Sequence, residues 1–163
     1  MNYIFDTSAL IVLIEVCDLR KQLEAFSLKN ALYVTNRVRK EFLDGCKMDK
    51  GAINIFLLVP STINRELLPY FNYRTSSGEF WTISHTYDEK DCICVIDEGF
   101  GRDLCDFLKI SYTGSIGIIK EMKRQGFLTQ KDLENVRLNI KKSKFYLSKK
   151  LLVKLDEICR SKA

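Results

Sequence analysis

Tyr3-Ile4-Phe5-Asp6-Thr7-Ser8-Ala9-Leu10 is the stretch from which the fold is read. Tyr3, Ile4 and Phe5 read as a buried strand, and positions 9–16 as a largely apolar helix with Thr7 or Ser8 as its N-cap. Asp6 then stands at the carboxyl end of a strand. In open α/β sheets that edge collects ligands and catalytic groups, beside helix N-termini whose partial positive charge favours anions. Taken alone, Asp6 is either a helix cap or a functional acid, and the other acids of the chain have to separate the two readings.

The same design recurs further along. Ala31-Leu32-Tyr33-Val34 reads as a second strand, with Thr35 or Asn36 capping a helix over 37–43. Cys92-Ile93-Cys94-Val95-Ile96 is the most continuous apolar run and reads as a central parallel strand. Asp97 follows it in the position that Asp6 takes after the first, just ahead of a helix over 100–108. Between these, 19–28 has a helical pattern, 52–59 is apolar but ambiguous in type, and 62–73 is assigned nothing beyond a short strand. Thr75-Ser76-Ser77-Gly78-Glu79 is a turn before a helix over 80–87, with Glu79 in the first turn. A short strand over 109–112, a Thr113-Gly114-Ser115 turn and a helix over 116–124 come next, then two helices over 130–140 and 148–159 joined by a lysine-rich connection. Repeated strand–helix steps predict an α/β fold, a parallel β-sheet sandwiched by helices. At 163 residues, one domain over 1–163 is expected, with a helical C-terminal extension from about 129.

Composition narrows the classes. The chain is 46% hydrophobic and 29% charged with two prolines, which excludes a disordered or linker-rich protein. Its net charge of +5 permits a polyanionic partner without requiring one. The start lacks a basic leader and a cleavage site, and no apolar run approaches the roughly 18 residues of a membrane helix, so a cytoplasmic protein without a membrane is expected. Six cysteines without a CxxC pair read as small core residues, and the single histidine, His85, excludes a histidine metal cluster.

Right-handed crossovers bring Asp6 and Asp97 to one sheet edge, with Glu41 and Glu79 arriving from neighbouring helices. The local sequence of Glu41 favours a surface ion pair with Arg37, four residues earlier. Carboxylates brought together repel one another unless protonated or neutralised, so at least one raised pKa is expected, and a divalent cation is the usual remedy. An oxygen-only set suits Mg²⁺ or Mn²⁺, in sites that commonly serve phosphate chemistry.

Taken together, the segments resemble PIN-domain proteins, and more narrowly the prokaryotic branch related to VapC-type toxins. Phe5-Asp6-Thr7-Ser8-Ala9-Leu10 is similar to the family's first-acid motif, and Val38-Arg39-Lys40-Glu41-Phe42 to its helical second acid. Ser77-Gly78-Glu79 resembles a variant of the third acid, and Ile96-Asp97-Glu98 with Arg102 the segment of the fourth. Thr113-Gly114-Ser115-Ile116-Gly117 and Phe145-Tyr146-Leu147-Ser148 also resemble one branch. Glu79 and Glu98 stand where many members have Asp, which keeps the charge and lengthens the reach by one methylene. The resemblance implies a metal-dependent endoribonuclease with Asp6, Glu41, Glu79 and Asp97 as catalytic and metal-binding residues and Mg²⁺ or Mn²⁺ as cofactor. It implies an RNA substrate, a homodimer and an antitoxin partner as well; the alternative is a non-catalytic RNA-binding or partner-binding module on the same fold. A haloacid-dehalogenase-type phosphatase wants a second Asp two residues after the first, where Ser8 stands.

Supporting roles follow. Ser8 orients a carboxylate or merely caps the helix, and Glu98 acts through water or faces solvent. Arg37, Arg39, Lys40 and Arg102 are candidate RNA phosphate contacts. The tail lysines Lys141, Lys142, Lys144, Lys149, Lys150 and Lys154, with Phe145 and Tyr146, form either a second RNA contact or a solvated helix face.

Overall fold

The computed structural model describes residues 1–47, 49–143 and 149–160. Strand β1 (Asn2–Phe5) lies at the centre of a five-stranded parallel sheet. On one side it pairs with β2 (Ala31–Thr35), Tyr3 opposite Leu32, and on the other with β4 (Cys92–Val95), Phe5 opposite Val95. Strand β3 (Leu57–Val59) extends β2 and β5 (Tyr112–Thr113) extends β4, giving the order β3-β2-β1-β4-β5. The chain therefore steps outward from β1 through β2 to β3, then returns to fill the other side. The reversal falls between β1 and β4, and in such sheets the crevice beyond the strands' carboxyl ends opens at that point.

Strand alternation divides the apolar residues between two cores. Tyr3, Phe5 and Val95 belong to the larger one, shared with α1 (Thr7–Ile11), α2 (Arg20–Ser27), α6 (Ser115–Arg124), α7 (Gln130–Lys142) and α8 (Lys149–Arg160). Cys94 and Ile96 belong to the second, with Phe80 and Ile83 of α4 (Gly78–Asp88) and Leu104 and Cys105 of α5 (Gly99–Leu108). Phe5, Phe26, Phe42 and Phe80 are fully buried, each contributing roughly 1.5–3 kcal/mol of apolar burial. Helices therefore cover both faces of the sheet. All six cysteines are buried thiols, as core packing requires.

Local departures from the sequence expectations have physical causes. The N-cap of α1 is Asp6 rather than Thr7 or Ser8, and the helix continues as a wider π turn over Val12–Val16. The ambiguous 52–59 run divides. A 3₁₀ segment, Lys50–Ile55, sends Ala52 and Ile53 into the core, after which β3 pairs along the β2 edge. Within 62–73 a 3₁₀ turn, Arg65–Phe71, replaces the short strand, started by the Asn64 side chain on the Glu66 N–H. Lys109 adopts left-handed φ of 57° to close α5, so β5 begins at Tyr112 instead of 109. Among the described residues no helix is long and apolar enough to cross a membrane. Lys144, Phe145, Tyr146, Leu147 and Ser148 lie outside the described residues, as do the side chains of Lys149 and Lys150.

Candidate active site

Asp6 continues the β1–β4 ladder for one more step, its N–H donating to the Val95 carbonyl at 3.0 Å. Its carboxylate then turns onto the start of α1 and accepts from the Ser8 hydroxyl at 2.6 Å and the Ser8 N–H at 3.3 Å. It is a cap, and at 4% exposure it is also a carboxylate withdrawn from water. Asp97 leaves the adjacent strand two residues beyond Val95. One of its oxygens accepts from the Ser115 N–H at 2.9 Å and from Arg102 Nη2 at 3.1 Å, and the other from the Ser115 hydroxyl. Arg102 Nε is committed to the Ile96 carbonyl at 3.0 Å, so this guanidinium braces the strand end.

Glu41 reaches the same edge from α3 (Asn36–Gly45), which Thr35 caps through the Val38 N–H at 3.2 Å. Its partners are the Thr7 hydroxyl and the Gly78 N–H, the latter at 3.2 Å, and not the Arg37 pair that its neighbourhood suggested. Arg37 instead lies over the Trp81 ring, 5.6 Å from its centroid. Gly78 is where Glu41 comes close to Asp6. A Cβ there would fall 2.5 Å from Glu41 Oε2, 2.8 Å from Thr7 Oγ1 and 2.9 Å from Asp6 Oδ1, so any side chain would displace them. Glu79 follows in the first turn of α4, which Ser77 caps. Its Oε1 is packed against Gly101 of α5, buried and without a hydrogen-bond partner.

Burial and proximity push two of these acids in one direction. Asp6 is raised to about 6, first by burial and then by Glu41, against the lowering effect of its Ser8 and Thr7 hydrogen bonds. Glu79 is raised to about 7, first by burial, then by Asp6 and Glu98. The Gly101 N–H lies near enough to offset this slightly but makes no aligned bond to the buried oxygen. Repulsion is therefore present, but withdrawal from water is the larger cause. A buried carboxylate oxygen without a donor is costly, and a cation relieves both the desolvation and the repulsion.

The donor set fits a hard divalent cation, being oxygen throughout with one oxygen unsatisfied. Among the described residues no three His, Cys, Asp or Glu side chains form a ready-made metal cluster. Thr7 and Gly78 hold one oxygen of Glu41, and Ser115 and Arg102 hold the two oxygens of Asp97.

The family model described as a PIN domain matches residues 2–158. The chain belongs to the PIN-domain family. Members of that family are generally nucleases. No curated protein and no solved structure matches the chain. Of the supporting residues in this PIN domain, Ser8 holds Asp6 directly, and Glu98 is exposed at the N-cap of α5 while still raising the Glu79 pKa. Arg37 and Lys40 are exposed on α3 and Arg39 is half-buried. Lys141 and Lys142 end α7, with both side chains exposed, and Lys154 is exposed on α8. Sequence reasoning missed Thr7, which it read only as a cap, and Ser115, read only as part of a turn. The signal for Thr7 was a hydroxyl directly after a strand-terminal acid, whereas Ser115 lies 18 residues beyond Asp97 and carried no such local signal.

Proposed function

We propose that this PIN domain is a divalent-metal-dependent endoribonuclease that hydrolyses RNA phosphodiesters, with Asp6, Glu41, Glu79 and Asp97 as its working acids. The observation that carries the reading is the unsatisfied Glu79 oxygen beside a second raised carboxylate, Asp6, at the sheet's switch point. Held by these acids, Mg²⁺ or Mn²⁺ would supply activation of a water and neutralisation of charge on the phosphate. The chain's own residues do the positioning. Ser8 fixes the Asp6 carboxylate, Ser115 and Arg102 fix Asp97, and the bare Cα of Gly78 leaves room for Glu41 to approach Asp6. The likeness to VapC-type proteins supports a toxin role with an antitoxin protein as partner and a homodimeric state.

Thermal melting tests the metal site apart from turnover. A cation at about 100 times its Kd should raise the wild-type melting temperature by roughly 5–10 °C. Asp6→Asn should lose most of that rise. A protein whose melting is indifferent to Mg²⁺ and Mn²⁺ would instead fit the non-catalytic binding module.

A further inference from the structure

Arg37 and Glu41 stand one turn apart on α3, the spacing at which opposite charges pair along a helix face. They do not use it. Glu41 turns to the Thr7 hydroxyl and the Gly78 N–H, while the Arg37 guanidinium lies over the Trp81 ring. Gly78 and Trp81 both belong to α4, which packs against α3, and their three-residue spacing puts them on one side of that helix. The two helices therefore meet through neighbouring contacts, one holding the acid and the other holding the cation.

Trp81 is a fixed surface for that cation. Its indole N–H donates to the Thr75 carbonyl at 2.8 Å, the Phe80 ring meets it edge to face at 5.2 Å, and the residue is 5% exposed. Arg37 is anchored in turn, its own N–H donating to Ser61 Oγ at 3.1 Å and its guanidinium carbon standing 5.6 Å from the ring centroid. A guanidinium over an indole is held more strongly than an exposed helix ion pair, so Arg37 rests on the ring. The consequence falls on Glu41. Both of its donors are neutral, and among the described residues no ion pair reaches it, so its charge is left for the site. Arg37 on Glu41 would instead set a positive charge where the acids are to receive a divalent cation.

We infer that Trp81 is a positioning residue that holds Arg37 off Glu41 and so reserves this acid for the metal. The inference rests on the metal-dependent reading of the acids. Trp81 touches none of them, and it acts through Arg37 alone. Its place two residues after Glu79 ties the device to the helix that carries another of the acids.

The test is titration of the metal-free protein with Mn²⁺, followed by the electron paramagnetic resonance signal of the free ion at a temperature well below melting, so that neither turnover nor stability sets the reading. Trp81→Leu removes the ring face and should weaken Mn²⁺ binding about tenfold as Arg37 moves onto Glu41, the scale of one added unit charge close to the ion. Trp81→Phe keeps a ring and should lose no more than about threefold. Arg37→Gln alone should stay within about twofold of wild type, and added to Trp81→Leu it should restore binding to within about threefold. That rescue is the deciding result, because a Trp81 that only packs α4 leaves the double variant as weak as Trp81→Leu and overturns the proposal. Trp81→Leu protein that binds Mn²⁺ like wild type overturns it too, with the metal site still standing. Trp81→Met fills more of the indole's space and takes the place of Trp81→Leu if that variant does not fold. Wild-type protein that binds no Mn²⁺ would overturn the metal site and the inference together.

Discussion

Glu79 is the residue at which the cost of the site is most visible. An acid whose folded pKa lies above its unfolded value binds protons more readily in the folded state, so it lowers stability as pH rises between the two values. For Asp6 that window runs from 3.8 to about 6, and for Glu79 from 4.5 to about 7. Metal-free protein should therefore melt at progressively lower temperature from pH 5 to pH 7.5, and Mg²⁺ or Mn²⁺ at pH 7.5 should reverse the loss. Glu79→Gln removes one of the two titrations and should flatten the profile. The lowered acids act elsewhere, since Glu121, held near 2 first by its hydrogen bond with Arg124, affects stability only in strong acid. Melting in EDTA across this range checks the account, and a rise in stability between pH 5 and 7.5 would contradict it.

At the scale of elements, each acid depends on how its own strand or helix begins or ends. Thr35 closes β2 and caps α3, so it sets the angle from which Glu41 reaches Thr7 and Gly78. Thr35→Val keeps the shape of this fully buried side chain and removes the cap, which should cost about 1 kcal/mol and weaken the metal-induced melting shift. Unchanged stability with an unchanged shift would show that the cap does not position the acid. Strands β1, β2 and β4 and the aspartates that follow β1 and β4 were legible in the sequence, because an apolar run that stops at a polar residue before a helix is a local pattern. Glu41 was not legible in the same way. Its true partners are 34 and 37 residues away in the chain, while Arg37 was four away on one helix. The 65–71 turn and the delayed start of β5 depend on the Asn64 side chain and on left-handed Lys109, neither of which has a periodic signature.

The parallel sheet sets Asp6 and Asp97 just beyond the ends of adjacent strands, where the strand order switches between β1 and β4, and α3 and α4 bring Glu41 and Glu79 close to Asp6. Neither strand end makes the site alone. The larger core anchors β1 and the C-terminal helices, and the second core packs α4, which carries Glu79, and α5 against the other face of the sheet. Repeated strand–helix order made this architecture readable, and the PIN-domain family match over residues 2–158 agrees with it. Charge on the tail lysines has no comparable anchor in the described residues. The central claim is that these acids together make a metal-dependent ribonuclease, and cleavage of a labelled single-stranded RNA tests it most directly. Wild-type protein should cut with Mg²⁺ or Mn²⁺ and stop in EDTA, and Asp6→Asn or Asp97→Asn should fall by about 100-fold or more while remaining folded. Cleavage that persists in EDTA, or an Asp6→Asn protein as active as wild type, would contradict it.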